Sequence, residues 1–212
     1  MSFSLANIAF QLRNLYTHRG NDGDFTLTCQ GRDIKAHSFI LKMRSEQFQL
    51  FFHNLNKLHI FRCKYFETFL TTAIGEHEAR EWMEVTEFSF EVLSTAVEFM
   101  YGIEIPETFN NSDELGSLLH LSDFYLMDDL KAAVGSIIGR NLKKENILEN
   151  IQLAEQFRAT FLSDKCASFL LDDVYSSFPT HPAVKKEELR ALGGSLIYAS
   201  LAKEALKVAN KQ

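Results

Sequence analysis

The pattern of hydrophobic and polar positions predicts a helix, then a short sheet, then a long run of helices. Apolar residues at three- and four-residue spacing indicate a first helix that ends before Arg19, where a turn-forming cluster begins. Its apolar stripe is Leu5, Ile8, Leu12 and Leu15. Residues 25–30 then alternate apolar and polar, which is typical of a half-buried strand. Gly31-Arg32 can form a tight hairpin turn into a partner strand over residues 33–37.

Beyond the hairpin, most of the chain has helical spacing. Residues 38–44 are predicted to be a helix and residues 81–85 a third strand, while Pro179 and Pro182 indicate a linker over residues 175–183. The apolar stripes of the later helices are Phe90, Leu93, Val97 and Met100; Leu115, Leu118, Leu119, Ser122 and Leu126; Leu130, Val134, Ile137 and Ile138; Ile147, Ile151, Ala154 and Phe157; Leu162, Cys166, Phe169 and Leu170; and Leu189, Leu192, Leu196 and Ala199. A small early sheet followed by helices predicts an α+β fold.

Composition and charge narrow the function classes. A 46% hydrophobic content fits an ordinary globular protein, and the net charge of −6 argues against a nucleic-acid partner. Cys29, Cys63 and Cys166 lack metal-ligand or redox spacing, so we expect free thiols in a reducing compartment. No secretory signal or membrane-spanning stretch is recognised. We therefore expect the protein in the cytoplasm, the nucleus or both, with no membrane partner.

Residues 5–140 contain an ordered set of positions that resembles a BTB/POZ domain. The set begins with an Asp-hydrophobic-x-Leu strand, a glycine turn, and a Leu four residues after an Ala-His pair. Its members are Asp24 to Leu27, Gly31, Ala36, His37, Leu41, Phe66, Phe69, Glu76, Trp82 to Val85, Phe90, Leu93, Phe99 to Gly102, Leu118 to Phe124 and Leu130. The resemblance implies the BTB/POZ fold and a role in protein–protein interaction.

Two later segments extend the resemblance. Residues 146–154 resemble the 3-box helix of adaptors for the third cullin, the scaffold of a class of ubiquitin ligases. Leu162, Cys166, Phe169 and Leu170 resemble the start of a BACK-like region. The predicted organisation is a BTB/POZ domain over 1–140, 3-box and BACK-like helices over 141–175, and a linker with a C-terminal helix over 176–212.

The resemblance also implies contact residues. Ile74-Gly75-Glu76 matches the hydrophobic-x-Glu element with which family members bind the cullin, although a capping residue beside an unpartnered apolar residue explains it too. The 3-box contributes the further cullin-binding candidates Ile147, Leu148, Ile151 and Leu153. Leu5, Ile8 and Leu12 are the candidates for a homodimer interface, but an intramolecular core would give the same stripe.

Residues 45–62 interrupt the family pattern. Both Ser45-x-x-Phe48 and Cys63-x-x-Phe66 satisfy one element of it, and only the second is in register with the next family positions in the chain. The segment is therefore interpreted either as a genuine insertion or as a retained intron. Because it adds Phe48, Phe51 and Phe52 beside a filled core, we expect these side chains to splay outward or to extend a helix, giving an exposed apolar patch.

The sequence offers no catalytic constellation, metal-ligand set or cofactor motif. His37 is interpreted as a half-buried structural histidine bonded to neighbouring backbone, and Asp24 as a capping carboxylate. The leading hypothesis is a non-enzymatic adaptor that dimerises, docks a cullin scaffold and presents an unknown protein target. The alternative is a purely structural or regulatory oligomerisation protein. A DNA-associated cofactor would need a zinc-finger array or a basic tract, and neither is seen.

Overall fold

The computed structural model describes residues 5–54 and 81–176, together with 196, 197 and 200. The elements in these ranges are α1 (Leu5–Asp22), β1 (Phe25–Cys29), β2 (Arg32–Ala36), α2 (Ser38–Arg44), α3 (Glu46–Asn54), β3 (Trp82–Glu84), α4 (Phe90–Met100), α5 (Ser112–Phe124), α6 (Asp128–Arg140), α7 (Ile147–Gln156) and α8 (Thr160–Ser176). The chain divides into two compact units, Met1–Ile105 and Pro106–Gln212. The predicted α+β fold is confirmed, with the described strands all in the first unit.

The sheet of the first unit has the strand order β2-β1-β3. The hairpin between β1 and β2 turns through Gln30 and Gly31, one residue earlier than the predicted Gly31-Arg32 turn, because Arg32 already pairs with Cys29. The φ angles of Gln30 and Gly31, 52° and 72°, are those of the tight turns that match strand twist. β3 pairs in parallel with β1, so that Leu27 lies between Ile34 and Met83 in one row. The alternation along β1 therefore turns one face of the sheet toward the core.

The core of the first unit lies between that sheet face and three helices. β1 contributes Phe25, Leu27 and Cys29, all nearly inaccessible to solvent. The helices contribute Ile40 and Leu41 from α2, Phe48 and Phe51 from α3, and Val92, Leu93, Ala96, Val97 and Met100 from α4. Every position of the stripe predicted for α4 is buried except Phe90, which is half-buried.

α1 is longer than the sequence predicted. It continues through the turn-forming cluster to Asp22, and the amide of Gly23 still donates to the carbonyl of Arg19 at 3.0 Å. The guanidinium of Arg19 lies 3.6 Å from the centre of the Tyr16 ring, a cation–π contact along the helix surface. This contact and the hydrogen bonds of the last turn outweigh the weak helix propensity of Gly20 and Asn21.

The expectation that the aromatic residues of segment 45–62 splay outward is wrong in the part that the structure describes, although residues 46–54 do form a helix, α3. Phe48 and Phe51 are only 2% and 1% exposed, so they complete the core and do not splay outward. Phe52 is half-buried, with its ring 4.9 Å from that of Phe25 in an edge-to-face contact. Leu50 does lie exposed. The reason is that α3 packs on α2 and places its Phe-rich face against β1. Residues 55–62 lie outside the described residues.

The second unit is a bundle in which α5 packs on α6, and α8 packs on both α6 and α7. A Cβ added to Gly135 of α6 would lie 3.4 Å from the Leu162 backbone, so this glycine lets α6 and α8 approach closely. Apart from Leu126, the stripes predicted for α5 to α8 are confirmed, although Ile137 and Phe169 are only half-buried. Beyond α8, Ile197 is fully buried and its amide donates to Glu155 of α7 at 2.7 Å.

Leu126 was predicted to belong to the stripe of α5, but it lies beyond the end of the helix and is exposed. It occupies the left-handed position of a Schellman motif, with a φ of 52°. The amide of Met127 donates to Ser122 at 2.8 Å and that of Leu126 to Asp123 at 3.2 Å. These two bonds satisfy the last carbonyls of α5 and turn the Leu126 side chain out of the helix face.

α8 runs through Ser176, so the predicted linker begins later than residue 175. The rest of that linker, and Leu189, Leu192 and Ala199 of the predicted last helix, lie outside the described residues. Leu196 is half-buried, whereas Ile197 and Ser200 are buried. The division of the chain at residues 140 and 175 remains a prediction.

Candidate protein-interaction surfaces

The C-terminal half of α1 is fixed to the first unit by an aromatic and polar cluster. The Tyr16 hydroxyl donates to Glu98 of α4 at 2.8 Å, and the Tyr16 ring meets that of Tyr101 edge-to-face at 5.4 Å. Burial, together with the hydrogen bond to Glu98 and its charge, raises the pKa of Tyr16 to about 12. The tyrosine is therefore neutral at physiological pH and holds α1 as a hydrogen-bond donor.

His37 joins the start of α2 to both neighbouring elements of this cluster. Its Nδ1 lies 2.8 Å from the Tyr101 hydroxyl and its Nε2 lies 3.2 Å from Asp22 at the end of α1. The prediction of a structural histidine is confirmed, but His37 is buried where half-burial was expected. Its partners also differ, since both ring nitrogens contact side chains where backbone was expected. His37 is thus an anchor for α1, α2 and the residue after α4.

Asp24 caps α2, as the sequence predicted. One carboxylate oxygen accepts the Ser38 amide at 2.6 Å and the other accepts the Ser38 hydroxyl at 2.7 Å. Partial burial raises the pKa of the Asp24 carboxyl, but the two bonds from Ser38 outweigh it, and the pKa is lowered overall. The carboxylate stays ionised and stabilises the first turn of the helix.

Only the C-terminal end of the apolar stripe of α1 is packed against the rest of the first unit. Leu12 and Leu15 are half-buried against their own unit, whereas Ile8 is 47% exposed. Burial of the Leu5 side chain lies outside what the structure describes. Phe10, about 200° around the helix from Ile8 at 100° per residue, is 60% exposed. The N-terminal half of α1 therefore offers apolar surface on two sides.

α2 offers a second apolar surface. Phe39 and Met43, one helical turn apart, are both exposed, and the Phe39 ring lies 5.6 Å from that of His37. Trp82 is also exposed, on the sheet face opposite the core. None of these residues was predicted from the sequence to be an interaction candidate. In the sequence these residues are simply large and apolar. A large apolar residue on the surface cannot be distinguished from one in the core until its burial is known.

The four candidates on α7 divide into two pairs. Ile147 and Ile151 are fully buried inside the second unit, while Leu148 and Leu153 are half-buried. A partner could therefore touch α7 through Leu148 and Leu153, but not through Ile147 or Ile151 as this unit is packed. Ile74 and Glu76 lie outside the described residues.

In the described ranges, no group of three or more His, Cys, Asp and Glu side chains could hold a metal ion. Cys29 and Cys166 are free and buried, and the Cys29 thiol donates to the Phe88 carbonyl at 3.2 Å. Burial raises the pKa of the Cys166 thiol to about 12, which keeps it protonated and unreactive. No helix in the part of the chain that the structure describes is long and apolar enough to cross a membrane.

Comparison with known proteins shows a similarity to one family in the middle of the chain. The model of the BTB/POZ domain matches residues 60–142. A curated relative, "ARM repeat protein interacting with ABF2" from Arabidopsis thaliana, is 26% identical over 187 residues, which are 84% of this chain and 23% of that protein. This chain therefore spans about a quarter of the relative's length.

Two solved structures are similar over most of their own length. The BTB domain of zebrafish PATZ1 is 19% identical, with 66% of this chain and 98% of that chain covered and a TM-score of 0.44. The BTB domain of human Gigaxonin is 21% identical, with 63% and 93% covered and the same TM-score of 0.44. The family model and the α+β architecture agree with each other, and the conclusion is that residues 60–142 of this chain are similar to the BTB/POZ domain.

Proposed function

We propose that this protein is a self-associating adaptor that dimerises through α1, docks on a cullin scaffold and carries a protein target. The main support for dimerisation is that the N-terminal end of the apolar stripe of α1 is exposed to solvent. Ile8 lies exposed one turn before the half-buried Leu12, on a helix that Tyr16 fixes to its own unit. An apolar surface on a rigid helix is stabilised when a second surface removes it from water.

A second copy of this chain is the partner that fits the Ile8 surface. A symmetric dimer uses the same patch on both subunits, so a helix whose stripe continues past its own core can pack against its own copy. Leu5 and Leu12, one turn before and one turn after Ile8, would extend the contact along the same side. BTB/POZ resemblance adds support, since family members use their first helix in this way.

The dimer is tested by light scattering coupled to size-exclusion chromatography on three chains. We expect the unmodified protein to show twice the 24.3 kDa mass of one chain, and Ile8→Asp to shift it to the monomer. Gln11→Asp adds a carboxylate at another exposed position of α1 and should leave the dimer intact. A monomeric parent chain, or a dimer that survives Ile8→Asp, would contradict the proposal.

The cullin-docking part is supported by Ile74-Gly75-Glu76, which matches the hydrophobic-x-Glu element of the family, and by the 3-box pattern of α7. On α7 the candidate contacts are reduced to Leu148 and Leu153, because Ile147 and Ile151 are buried. The chemistry is that of an apolar side chain filling a notch on a partner helix while a carboxylate pairs beside it.

A binding assay with the purified third cullin tests this part separately. We expect the unmodified chain to bind, and Ile74→Ala combined with Glu76→Ala to weaken binding at least tenfold. Glu78→Ala, a nearby carboxylate outside the motif, serves as the control and should bind like the parent. Equal binding by the double variant and the control would contradict docking through this element.

A purely structural or regulatory oligomerisation protein is the second candidate. The burial of Ile147 and Ile151 favours it, because half of the predicted 3-box contacts are then unavailable to a scaffold. This candidate predicts a dimer sensitive to Ile8→Asp together with no measurable binding to the cullin. The two assays therefore separate the candidates.

A further inference from the structure

The place that α3 fills in the first unit is defined by four positions. Ser45 is 2% exposed, and its hydroxyl oxygen accepts the amide of Phe48 at 3.1 Å, which caps the helix. Phe48 and Phe51 fill the core, and Phe52 packs on Phe25. The pattern is thus a small capping residue at position 45, aromatic residues at positions 48 and 51, and a large apolar residue at position 52.

The same spacing recurs in the sequence at residues 63–70. The four corresponding residues, 18 positions later, are Cys63, Phe66, Phe69 and Leu70. The positions that α3 turns to solvent, Glu46, Gln49 and Leu50, correspond to polar residues in the second copy. These are Lys64, Glu67 and Thr68. The second copy therefore meets the requirements of the same place, including polar residues where the helix faces water.

One place cannot hold both copies, because the side chains of α3 already fill it and protein cores are close-packed. In the full chain two effects favour the first copy. It follows α2 after a single residue, whereas the second would have to close a loop of 18 additional residues. Ser45 is also a better capping residue than Cys63, since a thiol is a weak acceptor.

We propose that the α3 place accepts either of two segments of this chain, residues 45–52 or residues 63–70, and that the second takes it when the first is removed. The chain can then lose residues 45–62 and keep the fold of its first unit, with Arg44 followed directly by Cys63. A transcript lacking these 18 codons would encode a second folded form of the protein.

The exchange alters which residues come directly after the helix. With residues 45–52 in place, His53 and Asn54 occupy the end of α3. With residues 63–70 in place, Ile74 comes four residues after the last core position, so the Ile74-Gly75-Glu76 element follows the exchanged segment closely along the chain. This consequence, though not the exchange itself, rests on the proposed cullin docking: the shorter form would bind the scaffold more tightly.

The exchange is tested on the full chain with residues 45–62 deleted. We expect this variant to unfold in one cooperative thermal transition with the far-ultraviolet circular dichroism of a helical protein. Adding Phe66→Ala and Phe69→Ala to the deleted chain should abolish the part of the transition that comes from the first unit. In the undeleted chain, Phe48→Ala with Phe51→Ala should lower the melting temperature much less than all four substitutions together.

Thiol labelling locates the second copy without depending on stability. In the deleted chain Cys63 should take the buried place of Ser45, so all three cysteines should react slowly with an aromatic disulfide reagent under native conditions. Cys63→Ser in that chain restores the better cap and should raise its melting temperature.

A deleted chain without a cooperative transition, or one in which Cys63 reacts as fast as in the denatured protein, would overturn the exchange. The exchange would also be overturned if the undeleted chain with all four Phe→Ala substitutions melted at the same temperature as the chain with Phe48→Ala and Phe51→Ala alone. None of these readouts involves the cullin, so the exchange can hold while the proposed docking fails, and the reverse.

Discussion

The hydroxyl of Tyr101 meets both the backbone amide and the ring Nδ1 of His37, each at 2.8 Å. One hydroxyl can accept from the amide and donate its proton to Nδ1 at the same time. The ring proton then lies on Nε2 and is donated toward Asp22. A single buried tyrosine, one residue past α4, thereby joins the entry to α2 and, through the His37 ring, the end of α1.

Tyr101→Phe is expected to destabilise the protein by about 2 kcal/mol, because it leaves the buried amide and Nδ1 of His37 without a partner. Tyr16→Phe is the matched control, with an expected loss of about 1 kcal/mol, since Glu98 is only half-buried and can be hydrated. Urea unfolding at neutral pH measures both. If the two variants lost equal free energy of unfolding, the two hydrogen bonds between Tyr101 and His37 would stabilise the protein no more than the single bond of Tyr16.

Stability is expected to fall as the pH rises from 10 to 12. Burial and the bond to Glu98 raise the pKa of Tyr16 from 10.0 to about 12 in the folded chain. The unfolded chain therefore releases this proton first, and the stabilisation, complete below pH 10, is lost as the pH approaches 12. Thermal unfolding across this range should show a shallower decline for Tyr16→Phe. An unchanged slope would contradict the assignment.

Gly23→Ala is expected to destabilise the first unit by about 2 kcal/mol or more. A Cβ at this position would lie 2.4 Å from the Arg19 carbonyl oxygen and 3.1 Å from that of Ala36, and backbone atoms cannot move aside cheaply. Gly20→Ala, with no atom within 4 Å of its Cβ, should instead stabilise α1 by about 0.5–1 kcal/mol. Melting temperatures that shift in the same direction for both variants would refute the steric argument.

Leu126→Gly is expected to stabilise the second unit by about 1 kcal/mol. Leu126 holds a φ of 52° in the turn after α5, a conformation that costs a residue with a Cβ about 1–2 kcal/mol. Part of this gain is offset by the greater backbone freedom of glycine in the unfolded chain. Ala132→Gly, at an exposed helical position of α6, should lose about 1 kcal/mol in the same unfolding assay. A loss for both would mean that the left-handed turn is not strained.

The sequence by itself determined the elements whose hydrophobic period is strong and local. Val97 and Met100 in α4, and Ile147 and Ile151 in α7, were assigned to buried helix faces from spacing alone, and they are buried. The hairpin at Gly31 and the capping role of Asp24 were also predicted, because turn glycines and capping carboxylates act within a few residues of their own position.

Only the tertiary structure decided which apolar residues remain exposed and whether Phe48 and Phe51 belong to the core. Phe48 and Phe10 are the same residue type, yet one is buried beneath the sheet and the other lies on an open helix. Their burial differs because of packing between elements that are distant in sequence, and local periodicity carries no information about such packing. The partners of His37, Asp22 and Tyr101, lie 15 and 64 residues away, and the closed fold alone brings them together.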